Sequence, residues 1–180
     1  MPSFHVLITS IGRPSLQRMV DSLLTQLHEC DHLTIVYDGV KEVPVLRTEG
    51  LAQIHVHHQT PNLGAWGHGI RNKYAKKLER TDFIMHGDDD DMYLEGAFEK
   101  LRGVCANTDT LYIAKLGNDS PPLTYIKTRE IGTPNGIIPY DLNSLGYWMM
   151  CLGGDGMFYE TIEEKAKSIE FLDIAIYKVR

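Results

Sequence analysis

The sequence lacks a long hydrophobic run: no stretch approaches the roughly 18 apolar residues that a membrane-spanning helix needs. The amino-terminal segment has no positively charged region before its first apolar residues, so we do not expect it to be a secretory signal peptide. Cysteines are also few. Cys30, Cys105 and Cys151 lie far apart and form no CxxC pair, so we expect neither a disulfide framework nor a cysteine-bound metal. A reducing compartment, and therefore a cytoplasmic location, is expected.

An excess of positive charge is missing as well. The chain has 18 Lys and Arg residues against 24 Asp and Glu residues, giving a net charge of -6. Because the neutralisation of phosphates supplies most of the affinity of nucleic-acid-binding proteins, this balance argues against a nucleic-acid partner. The length of 180 residues and the 43% of apolar residues predict one globular domain over residues 1–180.

The first 105 residues alternate between short apolar runs and helical stripes. Runs of this kind fit strands buried on both faces, and apolar residues spaced by three and four fit helices that pack on a sheet. The alternation predicts an α/β fold with a mostly parallel central sheet flanked by helices. The predicted strands are 4–9, 33–37, 53–57 and 82–86, and the predicted helices are 16–27, 67–78 and 94–105.

The second half of the chain is less regular, and we expect a small mixed or antiparallel portion of sheet there. Residues 1–105 and 106–180 are therefore treated as two halves of one domain, with 117–150 expected on the acceptor side of any site. The predicted elements are strands at 111–115 and 123–127, a buried segment at 147–152, a helix at 157–168 and a last apolar run at 171–177.

The most distinctive local feature is the run of four aspartates from Asp88 to Asp91, directly after the strand predicted at 82–86. In open α/β sheets, ligands bind at the carboxyl ends of strands. Oxygen ligands suit Mg²⁺, Mn²⁺ or Ca²⁺, and Mg²⁺ needs only one or two carboxylates beside substrate phosphates. A metal site and an ordinary solvated acidic surface are both open at this point.

Two glycine-rich segments add to this. The segment 62–72 opens a helix, but it matches neither a Walker A loop nor the GxGxxG pattern. Its backbone amides and Arg71 suit a diphosphate, although a plain helix start with a surface arginine explains them too. The segment 153–156 places Asp155 among three glycines, as a functional carboxylate or as a helix cap.

Taken in order, these segments resemble the family 2-type glycosyltransferases of the GT-A fold. The resemblance spans almost the whole chain. Tyr37 stands where the family has the first aspartate of its second-strand motif, and Gly154 stands where it has a late glutamate. The matching segments are Thr9–Pro14, Val36–Gly39, Asn62–Gly64, Arg71–Asn72 and Phe83–Asp91.

The resemblance implies a role for each matching residue. Asp90 is the main metal ligand with Asp88 beside it, although Asp89 and Asp91 offer a second DxD register. Asp155 is the general base. The residues implied to bind the nucleotide-sugar donor are Thr9, Ser10, Arg13, Asp38, Gly39, Asn62, Gly64, Arg71, Asp88 and Asp89, and those implied on the acceptor side are Tyr147, Trp148, Gly153 and Gly154.

The function implied is transfer of a sugar from a nucleoside-diphosphate sugar to a saccharide or other hydroxyl acceptor, with Mn²⁺ or Mg²⁺ and inversion at the anomeric carbon. Three alternatives stay open: a nucleotidyltransferase, a metal-dependent phosphohydrolase, and an inert module that binds nucleotide sugars. The resemblance ends at the last residues of the chain, which suits a catalytic core lacking, or cut from, further domains.

Overall fold

A computed structural model describes residues 1–180, and its centre is an eight-stranded sheet in the order β3-β2-β1-β4-β7-β6-β8-β5. The strands are β1 Phe4–Ser10, β2 His32–Asp38, β3 Gln53–Gln59, β4 Phe83–Asp88, β5 Met92–Tyr93, β6 Thr110–Leu116, β7 Gly136–Pro139 and β8 Ser168–Lys178. The helices are α1 Leu16–Leu24, α2 His68–Tyr74, α3 Ala97–Val104, α4 Tyr140–Asn143 and α5 Gly154–Glu163, with 3₁₀ turns at Ala65–Gly67 and Thr133–Asn135.

Strands β1 to β4 form the parallel half that the apolar runs predict. All seven residues of β1 are buried, because β2 and β4 pair with its two edges and helices cover both of its faces. Alternate side chains enter different cores: Val6 and Ile8 pack with α1 and α3, whereas Leu7 packs with α2. Strands β1, β2 and β4 therefore end at one common edge of the sheet, with Ser10, Asp38 and Asp88 as their last residues.

The second half supplies the mixed portion of the sheet. Strand β7 pairs antiparallel with β4 and with β6, and β8 lies parallel to β6 and antiparallel to β5. A second core lies beneath α5, where Trp148 stacks on Phe158 with ring centroids 4.1 Å apart. The α/β fold with a mixed portion is thus confirmed. None of the helices has the length and apolar character required to cross a membrane.

Three predictions of local structure in this half were wrong. Residues 123–127 form no strand; Pro121 and Pro122 precede them and offer no N–H for a ladder. The helix expected at 157–168 runs over Gly154–Glu163, since the αL conformation of Gly153 starts it earlier. The segment 147–152 is mostly exposed because it is a loop, and only Trp148 in it is buried.

Two histidines are fully buried in the sheet. Burial lowers the pKa of His5 from 6.5 to about 4 and that of His86 from 6.5 to about 3, since the imidazolium loses its hydration. His5 bonds the hydroxyl of Thr34 at 2.7 Å, and His86 bonds the amide oxygen of Asn143 at 2.8 Å. Both side chains are therefore neutral in the folded protein at neutral pH.

We predict that acid destabilises the protein through these histidines. A folded-state pKa below the unfolded value of 6.5 means that the unfolded chain binds more protons, so stability is complete above pH 6.5 and is lost as the pH falls towards 4. Each histidine should remove about 2 kcal/mol at pH 5. Urea unfolding of His5→Gln should show a shallower pH dependence than wild type, and exposed His28→Gln should not. A wild-type stability that is flat between pH 7 and pH 5 contradicts this.

Candidate functional site

A cleft of about 1000 Å³ opens at the carboxyl ends of β1, β2 and β4. One wall comes from the first half of the chain and the other from the loop before β7 and from the start of α5. Residues far apart in sequence therefore face one space. The sequence-predicted residues that line it are Thr9, Ser10, Arg13, Asp38, Asn62, Gly64, Asp88, Asp89, Asp90, Gly153 and Asp155.

Asp89 builds the loop that follows β1. Its carboxylate accepts hydrogen bonds from the hydroxyl of Ser10 at 2.7 Å, the backbone N–H of Ile11 at 3.0 Å and the guanidinium of Arg13 at 2.6 Å. The residue is only 2% exposed. With three donors already on two oxygens, Asp89 is committed to this loop, which corrects the expectation that it competes with its neighbours for a metal.

The remaining aspartates alternate between the cleft and the interior. Asp91 is buried, and its carboxylate accepts the backbone N–H of Arg180 at 2.9 Å; burial raises its pKa. The side chains of Asp88 and Asp90 are 33% and 26% exposed, and both line the cleft. Of the two possible DxD registers, the structure therefore presents Asp88-x-Asp90 to a ligand.

The donor set of this register fits Mg²⁺ or Mn²⁺ held together with a substrate. No group of three or more His, Cys, Asp or Glu side chains in the structure is placed to hold a metal by itself. Mg²⁺ commonly takes one or two carboxylates, with waters and phosphate oxygens completing its shell. Asp88 and Asp90 supply those two carboxylates without nitrogen or sulfur ligands, which zinc would prefer.

Arg71 is fully buried behind Asp88. Its guanidinium donates to the Asp88 carboxylate at 2.5 Å, to the carbonyl of Trp66 at 3.0 Å and to the carbonyl of Gly87 at 3.3 Å, and it lies 5.0 Å from the centre of the Trp148 ring. Arg71 does not line the cleft. Arg71 therefore does not contact the cleft directly, as expected for a grip on a diphosphate, but binds a carboxylate that lines the cleft.

Asp38 organises the glycine-rich segment after β3. Its two carboxylate oxygens accept the backbone N–H groups of Leu63 at 2.7 Å and Gly64 at 2.8 Å, and its carbonyl accepts the side-chain amide of Asn62 at 3.0 Å. Gly39 packs closely against Asn62: a Cβ on Gly39 would lie 2.6 Å from the Cβ of Asn62. Asp38 thus fixes the cleft wall that Asn62 and Gly64 form.

Sequence reasoning missed the residues that follow this wall. Ala65 and Trp66 have φ values of 51° and 53°, and Gly67, at 83°, continues this left-handed path. A Cβ on Gly67 would lie 2.3 Å from the hydroxyl oxygen of Thr9, so this turn approaches β1 very closely. The turn leaves the Trp66 side chain 66% exposed on the cleft wall. The signal available in the sequence was the pair of glycines that brackets Trp66.

Asp155 lies on the opposite wall of the cleft. It is the second residue of α5, whose N-terminal cap is Gly153, so Asp155 is not the cap of this helix. Gly154 is packed tightly: a Cβ there would lie 2.0 Å from the carbonyl oxygen of Met149 and 2.8 Å from the His68 ring. The glutamate of the resembling family therefore has no room at this position. His68, also missed from the sequence, contacts the Met149 carbonyl at 2.7 Å, and burial lowers its pKa.

The residues expected to contact an acceptor differ in burial and in their position relative to the cleft. Trp148 is 1% exposed in the second core, and its backbone is held on both sides by the side chain of Asn72, so the expectation that it meets an acceptor was wrong. Tyr147 is exposed but lies outside the cleft lining. Arg129, which the sequence did not single out, lines the cleft with φ 74°.

Comparison with known proteins gives similarity of fold without similarity of sequence. No family model and no curated protein matches the chain. Among solved structures, S. aureus TarS 1-349 in complex with UDP-GlcNAc superposes with a TM-score of 0.73 at 17% identity over 99% of this chain and 58% of that one. The mannosyltransferase PcManGT from Pyrobaculum calidifontis, in complex with GDP-Man and Mn²⁺, gives 0.72 at 11% over 97% and 56%.

The chain therefore has the fold of these two proteins, as a single α/β domain with a mostly parallel sheet. It spans less than two thirds of the length of each neighbour, and 36% of the length of another S. aureus TarS structure. Each superposition covers nearly the whole of this chain, including the residues of its sheet and of both cleft walls.

We predict that removing the countercharge of Arg71 is strongly destabilising. Asp88→Asn leaves the fully buried Arg71 guanidinium without its countercharge, and the loss should be about 3 kcal/mol in the free energy of unfolding. Adding Arg71→Leu should recover part of that loss, because the uncompensated buried charge is gone. The matched control is Asp141→Asn, which removes the countercharge of exposed Arg80 and should change stability little. Equal losses in the two single variants, by urea unfolding, contradict the assignment.

Proposed function

We propose that the protein is a metal-dependent glycosyltransferase that moves a sugar from a nucleoside-diphosphate sugar to a hydroxyl of a saccharide or another acceptor. The observation that carries the proposal is the pairing of Asp88 and Asp90 on one wall with Asp155 on the other wall of a single cleft. The proposal is supported by the fold, which is shared with proteins solved in complex with UDP-GlcNAc and with GDP-Man and Mn²⁺.

In this proposal the diphosphate lies against Asp88 and Asp90. These two carboxylates would hold a divalent cation together with phosphate oxygens, and the cation would supply charge stabilisation for the departing diphosphate. Arg71 keeps the Asp88 carboxylate oriented from behind, through the 2.5 Å contact. Arg13, bound to Asp89 and 3.4 Å from Asp90, brings a partly exposed positive charge to the same region of the cleft.

The nucleoside is placed at the other end of this wall. Asp38, Asn62 and Gly64 line the cleft after β2 and β3, and their mutual hydrogen bonds fix that surface before any ligand arrives. Prior ordering of this kind lowers the entropy that binding must offset. Thr9, at the end of β1, lies between the nucleoside region and Asp88, whose carboxylate its hydroxyl approaches at 3.4 Å.

Asp155 acts as the general base. An acceptor hydroxyl is a weak nucleophile, so a carboxylate must take its proton while the bond to the anomeric carbon forms. Asp155 faces the cleft beside Gly132 and Gly153, where the backbone leaves space for a sugar to approach. Attack from the wall opposite the diphosphate inverts the configuration at the anomeric carbon.

The proposal is tested by a thermal-shift screen of UDP, GDP, UDP-GlcNAc and GDP-Man, each with Mn²⁺ and with EDTA. A ligand at 100 times its Kd adds about 2.7 kcal/mol to stability. We expect at least one sugar nucleotide to stabilise the protein with Mn²⁺ and to do so much less in EDTA. Phosphoester hydrolysis in the absence of any sugar nucleotide would favour the phosphohydrolase, and binding without turnover on any acceptor would favour an inert module.

We predict that Asp90→Asn weakens the binding of the nucleotide that scores in this screen by about tenfold or more in the presence of Mn²⁺, because one of two carboxylate ligands is lost. The adjacent Asp91→Asn is the matched control, since Asp91 is buried and bonded to the backbone N–H of Arg180. Calorimetry gives the affinities, and thermal melting checks that both variants are folded. Similar affinities for the two variants would remove Asp90 from the metal site.

We predict that Asp155→Asn lowers kcat by about 10²- to 10⁴-fold and leaves donor affinity near that of wild type, because the amide keeps the shape of the side chain and loses its basicity. Asp155 lies in the first turn of α5, where an amide is accommodated as well. The measurements are kcat, donor Kd and melting temperature on this one variant. A kcat within a few-fold of wild type makes the carboxylate a structural group and removes the argument for inversion.

A further inference from the structure

The protein has two tryptophans, and they lie in opposite environments. Trp148 is 1% exposed in the second core, stacked on Phe158, whereas Trp66 is 66% exposed and lines the cleft. Trp66 belongs to none of the hydrophobic cores. An exposed tryptophan without a packing role in the fold is a large apolar surface available to a ligand.

The position of Trp66 is fixed by its backbone. Left-handed φ values of 51° at Ala65 and 53° at Trp66 are unfavourable for residues with a Cβ, and they persist where the surroundings enforce them. Here the enforcement is visible: Arg71 holds the Trp66 carbonyl at 3.0 Å, and Gly67 is pressed against Thr9. Strain of this kind, next to a cleft, is typical of functional positions.

The same guanidinium connects Trp66 with the acidic side of the cleft. One terminal nitrogen of Arg71 binds the Trp66 carbonyl and the other binds the Asp88 carboxylate at 2.5 Å. The backbone of Trp66 and the carboxylate of Asp88 are therefore bound by the same guanidinium. The indole side chain of Trp66 lines the cleft. Trp66 and Asp88 line the same cleft, so a ligand bound at Asp88 shares that space with the indole ring.

We propose that Trp66 is the platform on which the sugar ring of the donor stacks, through the apolar C–H face of the ring. The assignment rests on the proposed function, because the diphosphate at Asp88 sets where that sugar lies. Pockets for small ligands pair aromatic surface with a few polar groups, and here Asp88 and Asp90 are polar groups that line the same cleft as the indole. The nucleobase has a separate wall, built by Asp38 and Asn62.

The two environments of the tryptophans make the test spectroscopic. Titration with UDP-GlcNAc and GDP-Man, in Mn²⁺, should shift the emission to shorter wavelength and protect it from acrylamide, and UDP and GDP alone should do so far less. Trp66→Phe should abolish the response, since Trp148 is already buried. A full response to UDP or GDP alone assigns the indole to the nucleobase and overturns the proposal.

Ligand affinities of Trp66 variants distinguish a stacking role of this side chain from a purely structural one. Trp66→Ala should raise the Kd of the sugar nucleotide by about tenfold and leave that of its nucleoside diphosphate within about two-fold. Trp66→Gly should bind equally weakly and keep a melting temperature within about 4 °C of wild type, because glycine accepts the left-handed backbone. Leu145→Ala, which removes another exposed apolar side chain outside the cleft, is the control and should change neither Kd.

These measurements distinguish a failure of the proposed function from a failure of the stacking role of Trp66. If calorimetry shows no binding of any of the four ligands, the proposed function fails and the assignment of Trp66 fails with it. If a sugar nucleotide binds and Trp66→Ala leaves its Kd unchanged, the proposed function stands and the platform is overturned. Loss of affinity for UDP-GlcNAc or GDP-Man that is absent for UDP or GDP supports both.

Discussion

The guanidinium of Arg71 lies in the interior, where an unpaired positive charge would cost several kcal/mol, so every segment that supplies it with a partner is held in place. Asp88 provides the countercharge at the end of β4, and the carbonyl of Trp66 brings in the turn before α2. The ring of Trp148 packs at 5.0 Å and links this group to the second core. One buried cation thus joins both halves of the chain just beneath the cleft.

The cleft follows from this arrangement and from the direction of the strands. Because β1, β2 and β4 run parallel, their polar ends meet at one edge of the sheet. The carboxylates of Asp38 and Asp89 accept hydrogen bonds from the loops at that edge and hold these loops in place. The surface left for a ligand is what those contacts do not use: the side chains of Asp88 and Asp90. Across the gap, the close packing of Gly154 against Met149 and His68 brings Asp155 to the same space.

Much of the first half could be predicted from sequence, because a strand buried on both faces leaves a plain apolar run, as in 4–9 and 82–86. The position of the acidic cluster at a strand end was predictable on the same grounds. Which aspartates face the cleft was not predictable, since that depends on the donors that Ser10, at the end of β1, and Arg13, in the loop after it, bring to Asp89.

The second half was harder for a related reason. Trp148 and the exposed methionines after it have similar hydrophobicity in the sequence. The tryptophan is the buried one because it stacks on Phe158 and because its backbone bonds Asn72, 76 residues away. Trp66 was overlooked because its role depends on backbone angles, and the bracketing glycines show a turn without showing where the indole points. Long-range contacts of this kind have no local signal in the sequence.

The proposed function requires that a divalent cation bind the carboxylates of Asp88 and Asp90 together with a nucleoside diphosphate. Crystals grown with Mn²⁺ and the nucleoside diphosphate that binds in solution test it directly, through the anomalous scattering of manganese. We expect one strong anomalous peak in the cleft, within bonding distance of both carboxylates and of two phosphate oxygens. A nucleotide bound in the cleft with no such peak, or with the peak at other residues, would show that Asp88 and Asp90 do not hold the cation.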